Sequence, residues 1–212
     1  MPRRSLYLVI FLLFLLPASV SGATRLTILG DSLTAGYGLA PAEAFPTQLE
    51  KRLRASGNDV SVINAGVSGD TTAGGRARLA WLLAEKPDAV LVELGGNDAL
   101  RGLDPQQTRA NLAAILERLC EEKIPVLLAG MRAPRNLGRG YTEPFDGLFP
   151  ELAEQYGVLF YPFFLAGVAG KPELNQLDGI HPTAQGVAVI VERLLPLVEK
   201  LIQQTSAPDS AR

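Results

Sequence analysis

Imidazole and thiol are almost missing from this chain: its 212 residues include one His and one Cys. A single Cys excludes an internal disulfide and every CxxC metal or redox motif. A single His excludes HExxH and His-rich metal sites. An excess of either charge is missing too. Twenty Lys and Arg against 22 Asp and Glu leave a formal net charge of −2, which argues against a chain built to grip nucleic acid. The 21 glycines and 15 prolines are too few for a fibrous or low-complexity chain. Three motifs are also absent: the G-x-S-x-G elbow, S-x-x-K, and G-x-x-x-x-G-K-[ST]. The length fits one domain with a real core.

The first residues read as an address. Arg3 and Arg4 precede an unbroken apolar run from Leu6 to Leu16, which Pro17 ends. Ala18, Ser19, Ser21, Gly22 and Ala23 follow, completing the pattern of a secretory signal peptide. The run is shorter than the roughly 20 residues a membrane span needs. We therefore expect a signal peptide over residues 1–23, cut after Ala23, and one domain over 24–212. The mature chain would be exported, periplasmic or secreted, with no stable membrane span. Cys120 falls on the same stripe as Leu112, Leu116 and Leu119 and is expected to be a buried small hydrophobe.

Strand-like and helix-like segments then alternate. Leu26–Leu29, Val60–Ile63, Ala89–Leu94, Pro125–Ala129 and Val158–Tyr161 read as strands. Phe45, Leu49 and Leu53 mark one helix; Leu112, Ile115, Leu116 and Leu119 mark another. Val187, Ile190, Val191 and Leu194 mark a third, which Pro196 should kink or split, and Gln203–Arg212 should fray. Such alternation predicts an α/β fold, a three-layer αβα sandwich around a parallel sheet. Ligands of such sheets sit beyond the carboxyl ends of the strands.

The small polar residues collect there. The first strand exits into Gly30-Asp31-Ser32-Leu33, the second into Asn64-Ala65-Gly66-Val67-Ser68-Gly69-Asp70, and the third into Gly95-Gly96-Asn97-Asp98. A late loop carries Asp178-Gly179-Ile180-His181-Pro182. Acyl transfer needs a nucleophile, a base, a partner that orients the base, and donors for the oxyanion. Ser32, His181 and Asp178 can fill the first three roles. The Ser32 N–H, the Gly69 N–H and the Asn97 amide can fill the fourth. Taken one by one, Ser32 could merely open a helix behind an N-cap Asp31, Asn97 and Asp98 could be caps, and His181 could be structural. Four independent loops converging on one sheet edge favour a site.

These blocks resemble the SGNH (GDSL) hydrolases, in particular their exported branch of thioesterases, lysophospholipases and arylesterases. The matching stretches are Ile28–Tyr37, Ser68–Thr71, Glu93–Asp98 with Leu100-Arg101-Gly102, Pro162-Phe163-Phe164, and Asp178–Pro182, in family order. The resemblance implies Ser32 as nucleophile, His181 as base, Asp178 as orienting acid, and Ser32, Gly69 and Asn97 as the oxyanion hole. It implies a flavodoxin-like sheet of five parallel strands and no metal or other cofactor. It also implies that Asp31 holds the loop rather than reacting. Glu93, the one charge in an apolar strand, reads as structural.

The substrate expected is a small acyl ester or lysophospholipid. Leu100, Leu103, Met131, Leu137, Tyr141, Phe145 and Ile180 are candidate walls of an acyl groove. Arg132, Arg135 and Arg139 form either a solvated basic loop or a seat for a phosphate or carboxylate head group. A carbohydrate O-acetylesterase, an acyltransferase with the same triad, and a non-enzymatic lipid-binding module remain open. So does the oligomeric state.

Overall fold

The computed structural model describes residues 22–205. The leader expected over 1–23 therefore lies, except for its last two residues, outside the described residues, as does the tail from 206 onward.

Five strands form one sheet: β1 (Thr24–Gly30), β2 (Val60–Gly66), β3 (Ala89–Glu93), β4 (Val126–Ala129) and β5 (Leu159–Tyr161). Their order is β2-β1-β3-β4-β5 and every pairing is parallel. This is the expected doubly wound order. The strand order reverses between β1 and β3, the place where such sheets open a crevice. Every residue of β3 is buried, including Glu93. That is the composition rule for a strand covered on both faces.

Eight α-helices complete the described chain: α1 (Ser32–Ala35), α2 (Phe45–Ala55), α3 (Thr72–Ala77), α4 (Leu79–Ala84), α5 (Gly96–Leu100), α6 (Pro105–Glu121), α7 (Arg139–Tyr156) and α8 (Ala184–Thr205). α2 and α8 pack together in one layer, and α3, α6 and α7 in the other. The stripes read from the sequence are the buried faces. Phe45, Leu49 and Leu53 of α2 are fully enclosed, as are Leu112, Ile115, Leu116 and Leu119 of α6.

Two expectations, and one of the alternatives weighed above, need correction. Pro196 does not divide α8, which runs on to Thr205, so Gln203 to Thr205 belong to the helix. Proline deletes one backbone hydrogen bond there. The buried row Val187, Ile190, Val191, Leu194, Leu195, Val198, Leu201 and Ile202 holds the helix on both sides of it. Cys120 is exposed rather than core. Eight residues beyond Leu112 it has drifted about 80° around the helix, past the edge of the apolar stripe. Asp98 does not cap its own helix α5, whose N-cap is Gly95. Its buried carboxylate instead accepts from the Thr72 N–H at 2.9 Å and the Thr108 hydroxyl at 3.2 Å, tying α3 to α6.

Candidate active site

β1 ends at Gly30, and the chain turns at once into the four-residue helix α1. Gly30 is needed because a Cβ there would sit 2.0 Å from the Thr34 hydroxyl and 2.7 Å from a Glu93 oxygen. Asp31 is the N-cap of α1, accepting from the Leu33 N–H at 2.9 Å. Ser32 follows as the first helical residue, on the rim of the sheet.

The late loop brings His181 to it. His181 Nε2 lies 2.9 Å from Ser32 Oγ, and its Nδ1 lies 2.7 Å from Asp178 Oδ2. Asp178 Oδ1 also accepts the backbone N–H groups of Ile180 (2.9 Å) and His181 (3.0 Å). These bonds, led by that from the His181 N–H, hold the Asp178 carboxyl down at about 2, below the usual range. An ionised Asp178 can only accept, so Nδ1 carries the ring proton and Nε2 is left bare toward the serine. The loop is fastened at its base: the Gln176 N–H donates to the His181 carbonyl at 2.7 Å, and the Thr183 N–H to the Leu174 carbonyl at 2.9 Å. The Tyr37 ring lies 4.5 Å from the imidazole, centroid to centroid.

Two backbone donors of the strand-exit loops are left without a partner. Ser32, at the first position of its helix, has no intrahelical acceptor for its N–H. Among the described residues nothing accepts from the Gly69 N–H either. Gly69 sits at φ +82°, a conformation that disfavours any side chain, and its carbonyl is fixed by Arg101 Nη2 at 2.7 Å. The third expected donor is placed differently. Both amide hydrogens of Asn97 are engaged, with Nδ2 3.0 Å from Asp31 Oδ2 and 2.9 Å from the Asp70 carbonyl. An oxyanion arriving here would share one of them or take it over.

Behind the serine lies a buried acidic pair. Burial raises the Asp31 carboxyl to about 6, against the lowering bonds from Leu33 and Asn97. Glu93, wholly enclosed one strand away, is pushed well above its ordinary value by burial and then by the charge of Asp31. Its Oε2 takes the Thr34 hydroxyl at 2.8 Å and the Asp31 N–H at 3.4 Å. The partners of Glu93 are thus the first turn of the serine loop itself. A pairing across 62 residues leaves no mark in a single sequence.

A cavity of about 490 Å³ opens beside Ser32 and His181. Leu100, Met131 and Ile180 line it, as expected of groove walls. Leu103, Leu137, Tyr141 and Phe145 do not. Phe145 is fully buried, stacked on Tyr141 with centroids 5.9 Å apart and edge-on to Phe149 at 5.5 Å. It stands on the inner face of α7 and serves the core. Leu103 is exposed, its carbonyl accepting the Tyr141 hydroxyl at 2.7 Å. Sequence reasoning missed Phe163, Leu165 and Ala169 as walls. The signal was available, since all three lie just past the last strand.

A serine, a bare imidazole nitrogen and an ionised aspartate in line form the geometry of a serine hydrolase. The comparisons agree. Residues 28–189 match the GDSL-like Lipase/Acylhydrolase family, and the chain belongs to that family. It is 41% identical over 200 residues to the esterase TesA of Pseudomonas aeruginosa, covering 94% of this chain and 100% of that protein. It is likewise 41% identical over 195 residues to thioesterase 1/protease 1/lysophospholipase L1 of Escherichia coli strain K12, covering 92% of each. The crystal structure of the SGNH-hydrolase family esterase AlinE4 superposes with a TM-score of 0.73 at 50% identity, covering 86% of this chain and 98% of that one.

Proposed function

We propose that this protein is a serine carboxylic-ester hydrolase acting through an acyl-serine on Ser32. The reading rests on one observation above all, the continuous line Asp178–His181–Ser32 with gaps of 2.7 and 2.9 Å. Ser32 Oγ bonds to the ester carbonyl carbon while its proton passes to His181 Nε2. Asp178 stabilises the imidazolium that results. The carbonyl oxygen, now negative, is held by the N–H groups of Ser32 and Gly69 and by the Asn97 amide. The carbon–oxygen bond to the alcohol then breaks, and the alcohol leaves with the proton from Nε2. Water, giving its proton to the same nitrogen, attacks the acyl-serine and releases the acid.

Asp31 holds the serine turn and the Asn97 amide; Leu100, Met131 and Ile180 receive the apolar part of the substrate. Aryl and alkyl esters and lysophospholipids are the substrate classes that fit this wall. A carbohydrate O-acetylesterase would need a small polar pocket instead. The basic start, apolar run and small residues of 1–23 support export of a domain spanning 24–212 to the periplasm or beyond. Outside the cytoplasm acyl-CoA is scarce, which puts oxygen esters ahead of thioesters. Among the described residues no helix is long and apolar enough to cross a membrane.

Ser32→Ala tests the reading with a chromogenic p-nitrophenyl ester. Turnover should vanish while the variant melts as a folded protein; retained turnover would refute the assignment.

A further inference from the structure

The loop after β4 carries three arginines, and the structure separates them. Arg139 pairs with Glu143 at 2.6 Å on the outer surface. Arg135 reaches the cavity wall but is matched by Asp146 at 2.8 Å. Arg132 also lines the cavity, and no carboxylate answers it. Every other described arginine makes a hydrogen bond or ion pair; Arg132 makes neither.

Arg132 is nevertheless held. Its guanidinium carbon lies 5.0 Å from the centroid of the Phe163 ring, over its face. A cation–π contact holds the group over the ring without using any of its five N–H donors. Phe163, Leu165 and Ala169 on the same wall are shared with a neighbouring cavity of about 450 Å³, which Arg132 also lines. The free guanidinium therefore stands where two cavities meet, one of them containing Ser32 and His181. A positioned planar fork with all its donors unspent is the group that recognises a carboxylate or phosphate by paired hydrogen bonds.

We propose that Arg132 forms an oxyanion-recognising subsite, so that the enzyme favours acyl esters carrying a carboxylate or phosphate away from the scissile bond. The proposal rests on the esterase reading and deepens it, from acyl esters in general to those that carry an anion held by Arg132. The anion would lie against Arg132 while the ester carbonyl lies at Ser32. The apolar wall of Met131, Phe163 and Leu165 covers the segment between. Arg135, already neutralised by Asp146, contributes little to the preference.

The test compares kcat/KM for matched ester pairs in the wild type and in Arg132→Met and Arg132→Lys. One pair places the anion on the acyl side: mono-p-nitrophenyl glutarate against p-nitrophenyl valerate. The other places it on the alcohol side: a lysophosphatidic acid against the monoacylglycerol of the same chain. In at least one pair the wild type should favour the anionic ester, and Arg132→Met should shrink that anionic-to-neutral ratio about tenfold. Arg132→Lys should keep part of it, because the charge remains and the fork is lost. The pair that responds tells on which side of the bond the anion sits. Added salt should raise KM for the anionic member of that pair more than for the neutral one. Ratios that are the same in the wild type and Arg132→Met for both pairs would overturn the subsite. If the wild type hydrolyses neither neutral ester, the esterase reading itself fails, and the two failures are thereby distinct.

Discussion

Two aspartates flank Ser32, and the fold treats them in opposite ways. Asp178 sits on a late loop, more than a third exposed, and three N–H bonds hold its carboxyl at about 2. Asp31 sits at the end of a central strand, almost wholly enclosed, and burial lifts its carboxyl to about 6. Hydrogen bonds dominate in the first place and desolvation in the second. The difference matches the two tasks. A group that must stay charged beside an imidazolium is kept in the open and saturated with donors. A group that fixes a turn and an amide can be buried, at a cost in stability. On the proposed mechanism the moving proton therefore belongs to the loop half of the site, and the fixed frame to the sheet half.

Substitutions on the two sides should separate these tasks. The largest effect is expected from Asp178→Asn, which presents an amide to His181 and loses the charge that fixes the Nδ1 proton. Steady-state kinetics should show kcat down by about 10⁴, with KM moved far less. An effect below tenfold would remove Asp178 from the relay. Next comes Asn97→Ala, expected to lower kcat by roughly 10²–10³ if one of its shared hydrogens passes to the oxyanion. Should KM rise instead with kcat unchanged, Asn97 would belong to the frame alone.

Asp31→Asn should be milder in turnover, about tenfold in kcat, because it turns an acceptor of the Asn97 amide into a possible donor. Its clearer signature is in stability. Asp31 ionises near its ordinary 3.8 in the unfolded chain but only near 6 in the folded one. The folded state thus holds that proton longer, and rising pH between about 4 and 6 takes away on the order of 3 kcal/mol. Glu93, raised for the same reason, adds a loss of the same sign. Asp178 acts oppositely: its contribution is complete above its ordinary value and is lost as pH falls toward 2. Chemical denaturation across pH 4–7 should therefore show a shallower decline in Asp31→Asn than in the wild type. Parallel curves would mean that Asp31 is not buried as a charge. The smallest effect belongs to Leu103→Ala, which touches neither half and should stay within about twofold in kcat/KM for esters of every chain length.

The sequence carried a great deal of this, for a physical reason. Strand exits are short, so Asp31-Ser32, Gly69 and Asn97 had to arrive at one sheet edge once the alternation of strands was read. The lone histidine left no rival for the base. Asp31, lifted to about 6 by burial, adds its own ionisation to the pH profile of the site. Hidden from the sequence were contacts across long separations: Glu93 with Thr34, Asn97 with Asp31 and Asp70, and Asp98 with Thr72. Wall residues were legible only in part. Met131 and Phe145 are both apolar residues at or beyond the end of β4, yet a helix phase sends Phe145 inward to the core.

The acyl-serine is the claim on which the rest stands, and an active-site probe reads it directly. The protein is incubated with a fluorophosphonate and the adduct mapped by peptide mass spectrometry. The account predicts one adduct, on Ser32, formed rapidly in the wild type and far more slowly in His181→Ala. An unlabelled Ser32, or labelling that does not depend on His181, would contradict it.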